Sequence, residues 1–235
     1  MKPVAIFRHS PTEGPGYFAT YLDAHDVPWR LIAVDEGEAV PLRTDNFSGL
    51  VFMGGPMSVN DDLPWIAPVL ALIRTAVAAQ VPVLGHCLGG QLMSKALGGN
   101  VGRNAIKEIG WGEIEVADNP QARAWFGTEV TRFESFHWHG ETFSIPPGAV
   151  RIMGNRNCEN QGFVIDGNLG MQCHVEMTQD LIDSWCKSGA DEIASAKSPA
   201  VQKPEQMRQD MERKLTSLRA VANRLYDRWM EGLKK

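Results

Sequence analysis

The chain has 235 residues, 43% of them apolar, with a formal net charge of −5. That is enough for a full core, as one large domain or a domain with an appendage. The acidic balance and evenly mixed charges argue against a basic face for nucleic acid. A membrane span is not expected either. The longest apolar stretch, Leu63 to Ala79, contains Pro64, Pro68 and Arg74 and reads as a packed helix. After Met1-Lys2-Pro3 only four apolar residues precede Arg8, too few for a secretory h-region. The four cysteines (Cys87, Cys158, Cys173 and Cys186) lack CxxC spacing and read as reduced thiols, so a cytoplasmic location is expected.

Along the first hundred residues, short β-rich runs alternate with helical patterns. Val4–Phe7, Trp29–Val34, Leu50–Met53 and Val81–Leu84 read as strands, Tyr17–Ala24 and Trp65–Ala79 as helices. Alternation of this kind predicts parallel βαβ units in a doubly wound α/β sheet, with ligands gathering at the carboxyl ends of the strands. From about Trp111 the pattern turns to extended segments at 112–116, 131–138, 150–153, 162–165 and 169–173, split by Gly, Asn and Pro turns. They predict antiparallel strands added to the sheet or laid beside it. Thr178 reads as the N-cap of a helix over 181–187, followed by a Ser- and Ala-rich loop over 188–198. Beyond Pro204 a long amphipathic helix places Met207, Met211, Leu215, Leu218, Val221, Leu225 and Trp229 at three- and four-residue steps.

The chemistry centres on Gly85-His86-Cys87-Leu88-Gly89-Gly90-Gln91, directly after an apolar strand. Cys87 is placed on a sharp strand-to-helix turn that lifts the side chain clear of the sheet, a nucleophile elbow with sulfur in place of oxygen. There the first amides of the next helix favour negative charge on sulfur. A base and an orienting acceptor come from His174-Val175-Glu176: on an extended segment residues 174 and 176 share a face, so Glu176 can hold one ring nitrogen while the other meets Cys87. Acyl transfer also needs amide donors for the developing oxyanion. Leu88 supplies one, and Gly55 of the Gly54-Gly55-Pro56 turn supplies the second.

These motifs, Gly85-x-Cys87-Leu88-Gly89-x-Gln91, Gly54-Gly55-Pro56-Met57-Ser58 and His174-x-Glu176, together resemble the class I (triad) glutamine amidotransferases, in particular the amidotransferase domain of GMP synthase and its stand-alone relatives. The resemblance spans roughly residues 3 to 190 and implies a flavodoxin-like amidotransferase domain over 1–190, with 191–235 a helical C-terminal extension. It implies that Cys87, His174 and Glu176 hydrolyse the γ-carboxamide of glutamine through a γ-glutamyl thioester, with no cofactor. Gln91, Gly54 and the neighbouring glycines would help hold glutamine. His139-Gly140-Glu141 looks like the family's loop bordering the glutamine pocket. The chain departs from the pattern at His86, Gly90 and Val175.

Other residues take plainer readings. His86 is given a packing or supporting role. His137 and His139 have the spacing of a metal pair on a strand, but no third ligand is evident nearby and no metal is expected. Cys158, Cys173 and Cys186 read as packing residues, and the C-terminal apolar stripe serves the core or a homodimer contact. Some 45 residues beyond 190 are too few for an ATP-binding synthase domain, and no GxxxxGK[ST] loop occurs. The expected activity is therefore ammonia release from glutamine. The same triad acting on γ-glutamyl peptides or conjugates, or a polypeptide dependent on a synthetase that receives the ammonia, are the alternatives.

Overall fold

The computed structural model describes residues 1–234. Nine strands form one sheet in the order β2-β1-β3-β4-β9-β8-β7-β5-β6. Strands β1 (Val4–Arg8), β2 (Trp29–Ala33), β3 (Gly49–Phe52), β4 (Val83–His86) and β9 (Asn168–Met171) are parallel to their neighbours in the left half of this order. The antiparallel strands β5 (Val101–Val116), β6 (Arg132–Phe143), β7 (Val150–Gly154) and β8 (Gly162–Ile165) extend the same sheet, which resolves whether they join it or lie beside it.

The doubly wound layering follows from strand alternation. Val4 and Ile6 of β1 point into one core layer and Ala5 and Phe7 into the other. Helices α1 (Gly16–Ala24) and α8 (Met211–Met230) pack on the first face, α2 (Ile66–Ala78) and α3 (Leu88–Ala96) on the second. Strands β3 and β4 are buried throughout, as a parallel sheet covered on both faces requires.

Several expectations need correction. The fourth strand starts two residues later, because Pro82 lacks an amide for the ladder. Strand β5 begins at Val101 rather than near 112; its first half carries Arg103, Asn104 and Lys107 and stays largely exposed, so no apolar alternation marks it. Helix α4 (Pro120–Phe126) was not anticipated; the Asn119 side chain caps it by accepting from the Ala122 amide. Thr178 does cap α5 (Gln179–Ser188), but the expected loop after it contains α6 (Ala190–Ser195). The long C-terminal helix is two: α7 (Pro204–Arg208) and α8, separated at Asp210 with φ of 55°. No helix among the described residues is long and apolar enough to cross a membrane.

Candidate active site

Cys87 stands between the end of β4 and the start of α3 with φ 49° and ψ −106°. The strain of the turn falls on the cysteine itself, since none of Gly85, Gly89 and Gly90 has a positive φ. What the glycines supply is space. A Cβ at Gly89 would lie 2.0 Å from the Phe52 carbonyl oxygen, and one at Gly90 would lie 2.3 Å from that of Met171. Any side chain there would push α3 off β3 and β9 and displace the elbow.

The base segment is clamped separately. The His174 amide donates to the Phe136 carbonyl (2.8 Å), Ser135 Oγ donates to the His174 carbonyl (3.1 Å), and the Tyr17 amide donates to the Glu176 carbonyl (2.8 Å). His174 Nδ1 lies 2.7 Å from Glu176 Oε1, and its buried Nε2, on the side of Cys87, has no hydrogen-bond partner. Trp185 of α5 stands edge-on to the ring at 4.8 Å. Burial opposes charge on His174, but the Glu176 carboxylate and then the Cys87 sulfur outweigh it and raise its pKa well above the ordinary value. Burial likewise disfavours the Glu176 carboxylate, yet His86 and His174 draw its pKa down to about 2.

Cys87 and His174 open into one cleft of about 780 Å³ that Gly55, Gln91 and His139 also line. The Gly55 amide meets no acceptor among the described residues, and Leu88 heads α3, where first-turn amides have no intrahelical acceptor. The two residues touch through the Leu88 side chain: a Cβ on Gly55 would sit 2.7 Å from Leu88 Cδ2. Gly54 is placed behind the cleft wall, buried against Glu13 and His174, rather than among the lining residues. His139-Gly140-Glu141 is no loop; it lies within strand β6. Gln91 is held by Gln172, its Nε2 donating to Gln172 Oε1 at 3.1 Å.

Sequence reasoning missed three contributors. Gln172 donates from Nε2 to Cys87 Sγ at 3.4 Å, and its place two residues before His174 on an extended segment was a usable signal. Glu13 lines the cleft from the loop at the carboxyl end of β1, where strand topology directs attention. Tyr226 of α8 had no local signal; its hydroxyl lies 3.3 Å from His86 Nε2. That same nitrogen is 3.6 Å from Glu176 Oε2, so His86, fully buried, backs the carboxylate that orients His174.

The metal-pair expectation also needs correction, because a third group is present. Glu108, His137 and His139 offer ligand atoms within 4.8 Å of one another. The Glu108 carboxylate is already engaged: Oε1 accepts from Asn155 (2.8 Å) and Asn157 (3.1 Å), Oε2 accepts from Gln161 (2.8 Å), and His139 Nε2 stands 3.2 Å away. A cation there would have to displace side-chain amides from a carboxylate whose lone pairs are in use.

A profile of the family described as Glutamine amidotransferase class-I matches residues 20–184, and the chain belongs to that family. Among solved structures it is similar to a glutamine amidotransferase from Methylobacillus flagellatus, 43% identical with a TM-score of 0.97, over 100% of this chain and 96% of that one. Among curated proteins it resembles the glutamine amidotransferase-like protein YfeJ of Salmonella typhimurium, 30% identical over 80% of this chain and 81% of YfeJ. It also resembles the glutamine-hydrolyzing GMP synthase of Wigglesworthia glossinidia brevipalpis, 29% identical over 58% of this chain and 27% of that longer one.

Proposed function

We propose that this protein is a cysteine hydrolase of γ-glutamyl amides that releases ammonia from glutamine. The observation that carries the reading is the pairing of His174 Nδ1 with Glu176 at 2.7 Å, while the opposite ring nitrogen is left unpartnered toward Cys87 in a shared cleft. A base with one nitrogen fixed and the other free fits proton transfer with a nucleophile. Cys87 Sγ forms a bond to the amide carbon, and negative charge on the carbonyl oxygen is met by the Gly55 and Leu88 amides. The carbon–nitrogen bond breaks as His174 gives its proton to the departing nitrogen. Water then gives a proton to His174 and its hydroxyl to the thioester carbon, which frees glutamate and restores the thiol. Glu176 stays ionised and holds the imidazolium.

No cofactor enters these steps. The likeness to part of a glutamine-hydrolyzing GMP synthase supports a synthetase as the receiver of the ammonia. Ammonia and glutamate release from glutamine by the purified chain, with and without an added synthetase, tests the proposal beside Cys87→Ala. Release that survives Cys87→Ala sinks the thioester mechanism; release only with the partner present makes the chain dependent on that synthetase.

A further inference from the structure

The cleft holds an ionisable group for which the triad chemistry has no task. Glu13 lines it together with Cys87 and His174. A Cβ built on Gly54 would lie 2.5 Å from Glu13 Oε2 and 3.2 Å from His174 Cε1, so carboxyl and imidazole flank the same glycine. No hydrogen-bond donor among the described residues meets the Glu13 carboxyl. Its loop is nonetheless fixed. The Glu13 amide donates to the Ser10 carbonyl (3.0 Å), Trp185 Nε1 to the Thr12 carbonyl (2.8 Å), and Gly16, at φ 52°, packs where a Cβ would strike the Glu176 carbonyl oxygen at 2.3 Å. Burial pushes the Glu13 pKa up to about 7, with His174 opposing and Glu176 adding to the rise. A half-buried carboxyl on a fixed loop, met by no donor of the protein, is open to a ligand that supplies a positive charge.

The charges around the cleft give the ligand a direction. On the β5–β6 side Lys107 is paired with Glu192 at 2.5 Å and Arg103 stands in register with Glu141, so the cations there are matched by acids, while Glu13, from the loop after β1, has no such partner. The nitrogen that His174 protonates as the thioester forms therefore departs beside Glu13, which flanks the same glycine as the imidazole. The cleft volume of about 780 Å³ falls in the range that encloses ligands larger than a free amino acid.

We propose that Glu13 is a leaving-group specificity residue, and that the preferred substrates are γ-glutamyl amides whose departing amine carries a positive charge, such as those of an α,ω-diamine. This rests on the thioester chemistry above. When Cys87 Sγ displaces the amine and His174 protonates its nitrogen, the distal ammonium remains paired with Glu13 until the diamine leaves. Water then completes hydrolysis as before. With glutamine, the departing ammonia meets the same carboxylate as ammonium.

The test is kcat/KM of the purified full chain on three compounds: glutamine, the γ-glutamyl amide of a diaminoalkane, and the γ-glutamyl amide of a neutral alkylamine of equal length. The cationic amide is expected to be favoured over its neutral counterpart by on the order of tenfold or more, the weight of a charge-assisted contact. Glu13→Gln is expected to bring that ratio to about one, with a melting temperature no lower than the parent's. A neutral amide handled as well as the cationic one, or a preference that survives Glu13→Gln, overturns the role of Glu13. Cys87-dependent turnover in that same experiment would leave the thioester reading standing. Absence of Cys87-dependent turnover of all three compounds overturns both.

Discussion

Two buried carboxylates in this molecule each meet a pair of histidines, and they differ in what is left unpaired. Glu108, from β5, accepts from Asn155, Asn157 and Gln161 and faces His139, so both of its oxygens are in use. Glu176 holds His174 through Oε1 and leaves Oε2 without a hydrogen bond, 3.6 Å from His86. Burial disfavours the charge on both, and neighbouring imidazoles draw both pKa values to about 2. Charge and burial alone therefore do not separate them. Saturation of the carboxylate does: both Glu108 oxygens are taken by donors, although His137 beside them has neither ring nitrogen bonded, whereas Glu176 keeps an open oxygen in a cluster that also holds a strained cysteine.

The sharpest way to break the comparison is at the incomplete site. Cys87→Ala is expected to lower turnover by roughly 10⁴-fold or more while leaving the melting temperature close to the parent's. His174→Ala should follow closely, and Glu176→Ala should be milder, because the imidazole is then misoriented rather than lost. Glu108→Ala should do the reverse. It leaves buried amides without an acceptor and should cost about 3 kcal/mol of stability, a fall of roughly 6–12 °C in melting temperature for a chain of this size. Calorimetry showing a larger loss for Glu176→Ala than for Glu108→Ala would invert the assignment. Added zinc should leave the melting temperature of the Cys87→Ala protein unchanged; a rise abolished by His137→Gln would show that a cation does enter the Glu108 cluster.

Acid stability sharpens the same contrast. Burial lowers the His9 pKa to about 4 despite hydrogen bonding to the Met53 carbonyl, and lowers that of His137 to about 4 despite the Glu108 charge. His86 is lowered as well, again by burial. In the unfolded chain these rings take up protons near pH 6.5, and in the folded one His9 and His137 do so only near 4. The unfolded state thus binds more protons in that window, and stability falls as pH drops through it, by about 3 kcal/mol each for His9 and His137. Glu13 works the other way: its folded pKa of about 7 lies above the ordinary carboxyl value, so its effect costs stability as pH rises from about 4.5 to 7. The histidines outweigh it. Urea midpoints should drop between pH 6.5 and 4.5, and His137→Gln should flatten the slope. A midpoint constant over this range would show that these rings are not held neutral.

Legibility in the sequence followed the reach of each signal. The parallel strands and their helices were readable because a strand buried on both faces must be a continuous apolar run, and Leu50-Val51-Phe52 is one. The family motifs placed Cys87, His174 and Glu176 in order, and the structure brings the three to one end of the sheet. The first half of β5 was silent because it is exposed and polar, and Glu108, the buried residue following it, went unnoticed as the partner of His137 and His139. The break at Asp210 escaped notice because apolar residues keep helical spacing across it. Tyr226 could not have been tied to Glu176 by any local pattern, since only the packing of α8 against the sheet puts its hydroxyl beside His86.

That last contact supports the smallest and most discriminating prediction. His86 Nε2 lies between Tyr226 Oη at 3.3 Å and Glu176 Oε2 at 3.6 Å, while Nδ1 has no partner. A proton on Nε2 meets the Tyr226 oxygen and sets its positive end near Glu176 Oε2, and it leaves the unpaired position as a bare acceptor, so this tautomer costs least. His86 then biases which way the Glu176 carboxylate points, and through it the ring of His174. Replacing His86 with Leu removes the backing donor but keeps the volume, and is expected to lower kcat by about tenfold or less with KM little changed. It should also shift the acid limb of the pH–kcat profile, since His86 is the first of the groups that favour the ionised Glu176. Tyr226→Phe removes only the outer partner and should reproduce the shift more weakly. If His86→Leu lowers the melting temperature while kcat and its pH profile stay as in the parent, the contact holds α8 to the sheet and nothing more, and the incomplete network ends at Glu176.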